Sequence, residues 1–199
     1  MCTVSFLPGP EAGAFTFTSN RDETPGRMAM PPASFVHEGA TWHGPRDPQA
    51  GGTWFGTDGR AFSLCVLNGA FVKHQHRPPY KRSRGLLIPH FLAKPDVFKF
   101  AATYDFEGME PFTLLLIEHA TTILKLFEMR WDEKELHLRA LPVHEPQLWQ
   151  SSTLYTFEQA AEREQWFTNW LNSHHPPHEH IMQFHQNRQW GTPETAICM

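Results

Sequence analysis

Cys2-Thr3-Val4-Ser5-Phe6-Leu7, Pro8-Gly9-Pro10-Glu11-Ala12-Gly13 and Ala14-Phe15-Thr16-Phe17-Thr18 are the three runs that decide the fold. The first alternates small or polar with apolar side chains and is rich in β-formers, which predicts a strand. The second is a turn by composition. The third alternates again, so the chain opens with a β-hairpin. Its second strand delivers Ser19-Asn20-Arg21-Asp22-Glu23 at its far end, beside the residue that follows Met1.

That residue is Cys2, small enough for methionine removal to leave it as the mature N-terminus. It would then carry a thiol and a free α-amine, whose ordinary pKa of about 7.7–8.0 suits it to take a proton near neutrality. A terminal amine activating its own nucleophile is an established route to covalent acyl transfer. The hairpin brings Arg21 and Asp22 beside this thiol. Arg21 is expected to lower the thiol pKa, and Asp22 to orient the amine or hold a proton on it. The plainer reading of 20–23 is a polar loop after a hairpin.

Further motifs follow: Arg27, Pro31-Pro32, Pro45-Arg46-Asp47-Pro48, Gly51-Gly52-Thr53-Trp54-Phe55-Gly56, Leu67-Asn68-Gly69 and Arg82-Ser83-Arg84-Gly85. With Met1-Cys2-Thr3 and Asn20-Arg21-Asp22-Glu23, they make the chain resemble the NRDE family, the transport-and-Golgi-organisation-type proteins. The match is dense over residues 1–95 and thin beyond. That family is similar to the N-terminal-nucleophile hydrolases. The resemblance implies a four-layer αββα sandwich of largely antiparallel sheets, and a cysteine hydrolase of an amide or thioester with Cys2, Arg21, Asp22 and Asn68 as catalytic residues. Asn20, Gly51, Gly52 and Trp54 are the candidate substrate-binding residues. The alternative class is a non-catalytic carrier of an acyl-lipid or haem-type ligand on the same fold.

Several of these residues keep a second reading. Asn68 could aim its amide at an oxyanion, or Asn68-Gly69 could be a turn. Gly51-Gly52 could admit close backbone approach to a substrate, or form a tight turn. Trp54 is a core residue or a stacking surface.

Composition fits one globular domain over residues 1–199, at 40% hydrophobic and 13% aromatic residues. A formal net charge of −4 gives no case for nucleic acid or an anionic membrane. Lys73, Arg77, Lys81, Arg82 and Arg84 read as a solvated loop. With no run of about 18 uncharged apolar residues, no stable membrane insertion is expected. No signal peptide opens the chain, and the cysteines at 2, 65 and 198 make no disulfide framework. A reduced, cytoplasmic protein is the expectation.

No metal site is expected. His74-Gln75-His76 and the run His174, His175, His178, His180, His185 are dense, but there is no cysteine pair at zinc spacing, and His178-Glu179-His180 breaks the His-Glu-x-x-His pattern. The His-rich stretch after 173 reads as a surface loop. The resemblance makes an axial His or Cys65 conceivable for haem, yet no pattern singles one out, so no cofactor is assigned. The partner is a small acyl or amide substrate, or a hydrophobic ligand.

The rest reads as α+β. Residues 24–50 form a long irregular segment, and 53–56 and 61–67 a hairpin around Asp58-Gly59. Residues 83–94 and 96–103 form two helices, the first broken by Pro89. Residues 112–118, 122–131 and 135–141 form a meander. A helix over 156–173 has Thr156 and Gln159 as its capping pair. The chain reads as stopping partway into a strand at 194–199, with a terminal strand missing.

Overall fold

A computed structural model describes residues 3–23, 26–120 and 122–198; Cys2 lies outside them. The opening hairpin is present as β1 (Thr3–Pro8) and β2 (Phe15–Asn20), with Thr3 opposite Asn20 and Pro8 opposite Phe15. A third strand, β10 (Gln147–Gln150), pairs with the other edge of β1, Thr3 facing Gln150. This three-stranded sheet, ordered β10-β1-β2, has β1 at its centre, which is why both faces of Thr3–Leu7 are buried.

The second sheet has seven antiparallel strands in sequence order. They are β3 (Met30–His37), β4 (Ala40–Arg46), β5 (Phe55–Thr57), β6 (Phe62–Asn68), β7 (Phe112–Glu118), β8 (Lys125–Trp131) and β9 (Leu136–Leu141). The β3–β4 hairpin replaces the irregular segment expected over 24–50. It turns at Glu38-Gly39, both at positive φ (46° and 80°), the pattern of a type I′ turn. β3 is an edge strand, mostly exposed, so it tolerates Pro31 and Pro32 and shows no apolar alternation.

Alternation along the strands builds four layers. On β6, Cys65 and Leu67 face Val4 and Phe6 of β1, with Leu115, Ile117, Leu126 and Trp149, between the two sheets. The opposite face of β6, Leu64 and Val66, packs beneath α1 (Leu87–Ala93) and α2 (Val97–Thr103) through Ile88, Phe91 and Phe100. The outer face of the small sheet, at Leu7, packs against Phe167 and Trp170 of α3 (Phe157–Ser173) and Ile181 and Phe184 of α4 (Pro177–His185). Each such aromatic or aliphatic side chain removed from water contributes about 1.5–3 kcal/mol. The architecture is α+β: helices, sheet, sheet, helices.

A buried carboxylate bridges the two sheets. Glu128 on β8, 2% exposed, accepts hydrogen bonds from Arg130 Nη2 (2.8 Å), Arg139 Nε (2.7 Å) and, on the other sheet, Trp149 Nε1 (2.9 Å). Burial opposes its charge, but the two arginines outweigh that and hold its carboxyl below the usual range.

Four local expectations are corrected. Pro89 lies in the first turn of α1, after a 3₁₀ turn at Arg84–Leu86, where a missing N–H breaks no helical bond. The segment after 173 is not a surface loop throughout: Pro177 starts α4, and His185 at its end is 2% exposed. Residues 194–198 form no strand; Ala196 and Ile197 are buried against the helix layer. The strand expected from 122 begins at Lys125.

Candidate active site

The heads of the three small-sheet strands are gripped from the helix layer. Thr3, Asn20 and Gln150 are cross-strand neighbours. Arg163 of α3, fully buried, donates from Nε to Gln150 Oε1 (2.6 Å), from Nη2 to Thr3 Oγ1, and from Nη1 to the carbonyls of Thr195 and Ala196; its guanidinium also lies 4.1 Å over the Tyr155 ring. Asn20 donates through Nδ2 to the carbonyls of His185 (2.9 Å) and Ile197 (2.7 Å). His185 bridges Asn20 Oδ1 (2.8 Å) and Ser5 Oγ (2.7 Å). Burial, then the nearby Arg163 charge, lowers the His185 pKa to about 4, so the ring is neutral at physiological pH.

Arg21, immediately after Asn20, turns the opposite way into a polar cavity of about 110 Å³. Its guanidinium lies 4.7 Å from the centre of the Trp54 ring. Nη1 donates to the Arg27 carbonyl (3.0 Å) and Nη2 to Asp47 Oδ2 (3.4 Å). The same Asp47 oxygen is 2.6 Å from Arg27 Nη2, while Oδ1 accepts from the backbone N–H of Gln49 (2.9 Å) and Ala50 (3.1 Å). Burial opposes the Asp47 charge, but these N–H groups and Arg27 outweigh it and keep the carboxyl below its ordinary range. Asp47 thus ties both arginines to the 47–52 turn.

Asn68 ends β6 on the same face as Val66, and both line this cavity. Its backbone carbonyl accepts from Ser151 Oγ (2.9 Å), and its carboxamide makes no hydrogen bond among the described residues. The opposite wall is Ser83–Gly85. It is locked to Gly52–Thr53 by the Thr53 N–H donating to the Gly85 carbonyl (2.9 Å), and a Cβ on Gly52 would lie 2.5 Å from Gly85 backbone atoms. Gly52 therefore serves backbone-to-backbone contact.

Arg84 is no part of a solvated basic loop. It lines the cavity and is held by Glu110 Oε2 (2.8 Å) and the Pro111 carbonyl (3.1 Å), and burial lowers its pKa. Lys81 and Arg82 do lie at the surface, paired with Asp105.

Arg21, Gly52, Trp54 and Asn68 are thus brought to one cavity, while Asn20 is committed to the helix layer. Gly51 sits in the 47–52 turn, its N–H donating to the Asp47 carbonyl (2.8 Å). Asp22 follows Arg21, half-buried, and does not line the cavity. Asp47, Arg27 and Arg84 are among the cavity residues that the sequence did not single out for a role, although all three stood in its quoted motifs.

Cys65 is sealed between the sheets, and burial pushes its thiol up to about 12. Such a thiol is inert and unsuited to ligate haem. Among the described residues, Asp132, Glu135 and His137 come within cation-sharing distance at the β8–β9 turn. Asp132 there accepts from the N–H groups of Lys134 and Glu135 and from His137, contacts that close the turn.

A second groove of about 520 Å³ runs between residues 70–73, the 151–157 segment and the first turns of α3. Phe71, Val72, Leu154 and Phe157 line it with large exposed apolar surfaces. No histidine, cysteine or methionine is among its lining residues. No helix among the described residues is long and apolar enough to cross a membrane.

Comparison with solved structures finds similarity to the Caenorhabditis elegans N-acylethanolamine-hydrolyzing acid amidase ortholog. The TM-score is 0.65 at 13% sequence identity, covering 94% of this chain and 87% of that one. That protein is an N-terminal-nucleophile hydrolase, and at this identity the likeness establishes the shared fold. A sequence search of curated proteins found no match. The sequence profile described as Transport and Golgi organisation 2 matches residues 1–197, and the chain belongs to that family.

Proposed function

We propose that this protein is a cysteine N-terminal-nucleophile hydrolase that cleaves an amide or thioester of a small acyl compound through Cys2 after Met1 is removed. One observation carries the reading: Arg21, Trp54 and Asn68, from separate parts of the chain, line a single cavity, and Arg21 directly follows the residue paired with Thr3. Similarity in fold to an amidase supports it. In the proposed cycle the Cys2 α-amine takes the thiol proton and the sulfur attacks the carbonyl. The Asn68 amide donates to the developing oxyanion. Collapse breaks the C–N or C–S bond, the leaving group departs with the amine's proton, and water then hydrolyses the thioester with the amine again as base. Asp22 orients the amine, and Arg21 favours the thiolate. The reading includes a reducing, cytoplasmic setting, consistent with the free thiols Cys65 and Cys198.

The test is a panel of acyl amides and thioesters with wild type, Cys2→Ser and Cys2→Ala. Turnover should fall strongly in the first variant and vanish in the second, and mass spectrometry of quenched wild type should find an acyl group on residue 2. Failure to turn over any member, with identical acyl adducts in Cys2→Ala, would reject the nucleophile.

The groove of about 520 Å³ favours a second reading, a carrier of a hydrophobic ligand. Saturable binding that Cys2→Ala leaves untouched, without turnover, would select it.

A further inference from the structure

The charge and size of the Arg21 cavity restrict what it accepts. Its charged lining is three guanidiniums, Arg21, Arg27 and Arg84, against two carboxylates, Glu23 and Asp47. Arg84 is committed to Glu110 and Pro111. Arg21 and Arg27 make their contacts to Asp47, Glu23 and the Arg27 carbonyl through the terminal nitrogens alone. The Nε–H of Arg21 makes no hydrogen bond among the described residues, and that of Arg27 is buried without an acceptor. Two guanidiniums, one with its central carbon 4.7 Å from the centre of the Trp54 ring, therefore keep N–H groups without acceptors among the described residues at this cavity. A planar carboxylate is the acceptor that a guanidinium matches best.

Volume argues the same way. At about 110 Å³ against about 520 Å³ for the apolar groove, the cavity suits a compact polar group better than a long acyl chain. The apolar groove lies on the other side of the tie between Asn68 and Ser151.

We infer that the ligand of this cavity is a small amide bearing a carboxylate a few bonds from its acyl carbon, with Arg21 and Arg27 as the residues that select the charge. The inference rests on the proposed hydrolase for the identity of the reacting bond, and on the arginine pair alone for the anion. An acylated amino acid fits it; a neutral lipid amide does not.

The experiment measures binding without turnover. Calorimetric titration of full-length Cys2→Ala with N-acetylglycine and with its uncharged primary amide compares two probes differing only in the terminal group. The carboxylate should bind at least tenfold tighter, the ratio should narrow as salt is raised, and adding Arg27→Gln should bring it near one. Equal affinities, preference for the amide, no binding of either, or a ratio indifferent to Arg27→Gln in a protein of unchanged melting temperature would overturn the inference. If Arg27→Gln unfolds the protein, Arg27→Lys keeps a charge opposite Asp47 and must still cut the ratio at least threefold, because an ammonium lacks the fork. Wild-type turnover is read separately. Carboxylate preference without hydrolysis rejects the hydrolase and keeps the anion site; hydrolysis without preference does the reverse.

Discussion

Arg163 of α3 donates a hydrogen bond to the hydroxyl of Thr3, across the interface between the helix layer and the small sheet. The same guanidinium holds Gln150, the β10 partner of Thr3, and the carbonyls of residues 195 and 196. One buried side chain thus fixes the head of the central strand, its neighbour and the last described turn.

Replacing Arg163 by Met should therefore destabilise the fold by about 3 kcal/mol or more, since several buried acceptors lose a charged donor at once. Thr3→Val removes only one acceptor and should cost about 1–2 kcal/mol. Urea midpoints at constant m-value check both; equal losses for the two would show that Arg163 contributes through Thr3 alone.

Stability should fall as pH drops from about 6.5 towards about 4 because of His185. Its folded pKa is about 4 against an ordinary 6.5, so in that window the unfolded chain binds a proton that the folded one refuses. The contribution is fully present above the unfolded pKa, is lost through the window, and levels off below the folded pKa. Its size is about 3 kcal/mol. His185→Gln should flatten this part of the stability curve, measured by urea melts at half-unit pH steps.

Untagged protein should weigh one methionine less than the full chain, and its Cys2 should alkylate below pH 8 far faster than Cys65, whose thiol is pushed up to about 12. Peptide mapping after a short iodoacetamide pulse reads both at once. Retained Met1 would remove the terminal amine from the mechanism.

Gly52→Ala should cost about 1–3 kcal/mol, because its new methyl would meet Gly85 backbone at 2.5 Å and the backbone bond from Thr53 to Gly85 holds the two segments together. The same push displaces Ser83–Gly85 from the cavity wall. Loss of ligand binding beyond the loss of folded protein is the expected result; a fully stable Gly52→Ala protein would show that the contact relaxes freely.

Local signals made part of the fold legible. The β1–β2 hairpin announces itself by alternation, and the β7–β9 meander by strand-length runs joined by short turns. The α3 N-terminus does so by Thr156 and Gln159, whose capping box is formed. The β5–β6 hairpin turns where Asp58-Gly59 stands, with Asp58 Oδ1 accepting the N–H groups of residues 60–62. β3 was hidden because an exposed edge strand carries no buried stripe, and β4 because it buries only Trp42 and Gly44; the turn pair between them is Glu38-Gly39. The four residues of β10 are strand only because β1 offers them an edge. α4 was masked by histidines that read as surface, although Pro177 at its first turn is a start signal.

The site divides the same way. By itself the sequence determined the family resemblance, the nucleophile candidate, and the delivery of Arg21 to the far end of a two-strand hairpin, because strand register over six residues is a local property. Only the tertiary structure decided what each polar side chain is for. Asn20 and Arg21 are adjacent, yet one locks into the helix layer and the other enters the cavity. Arg84 and Arg82 stand two residues apart in one basic run, yet one is half-buried on Glu110 and the other pairs with Asp105 nearer the surface. Hydrogen-bond donors are assigned by whichever acceptor the packed chain brings within about 3 Å, and for Arg21, Arg84 and Arg163 those acceptors include groups 26 to 160 residues away.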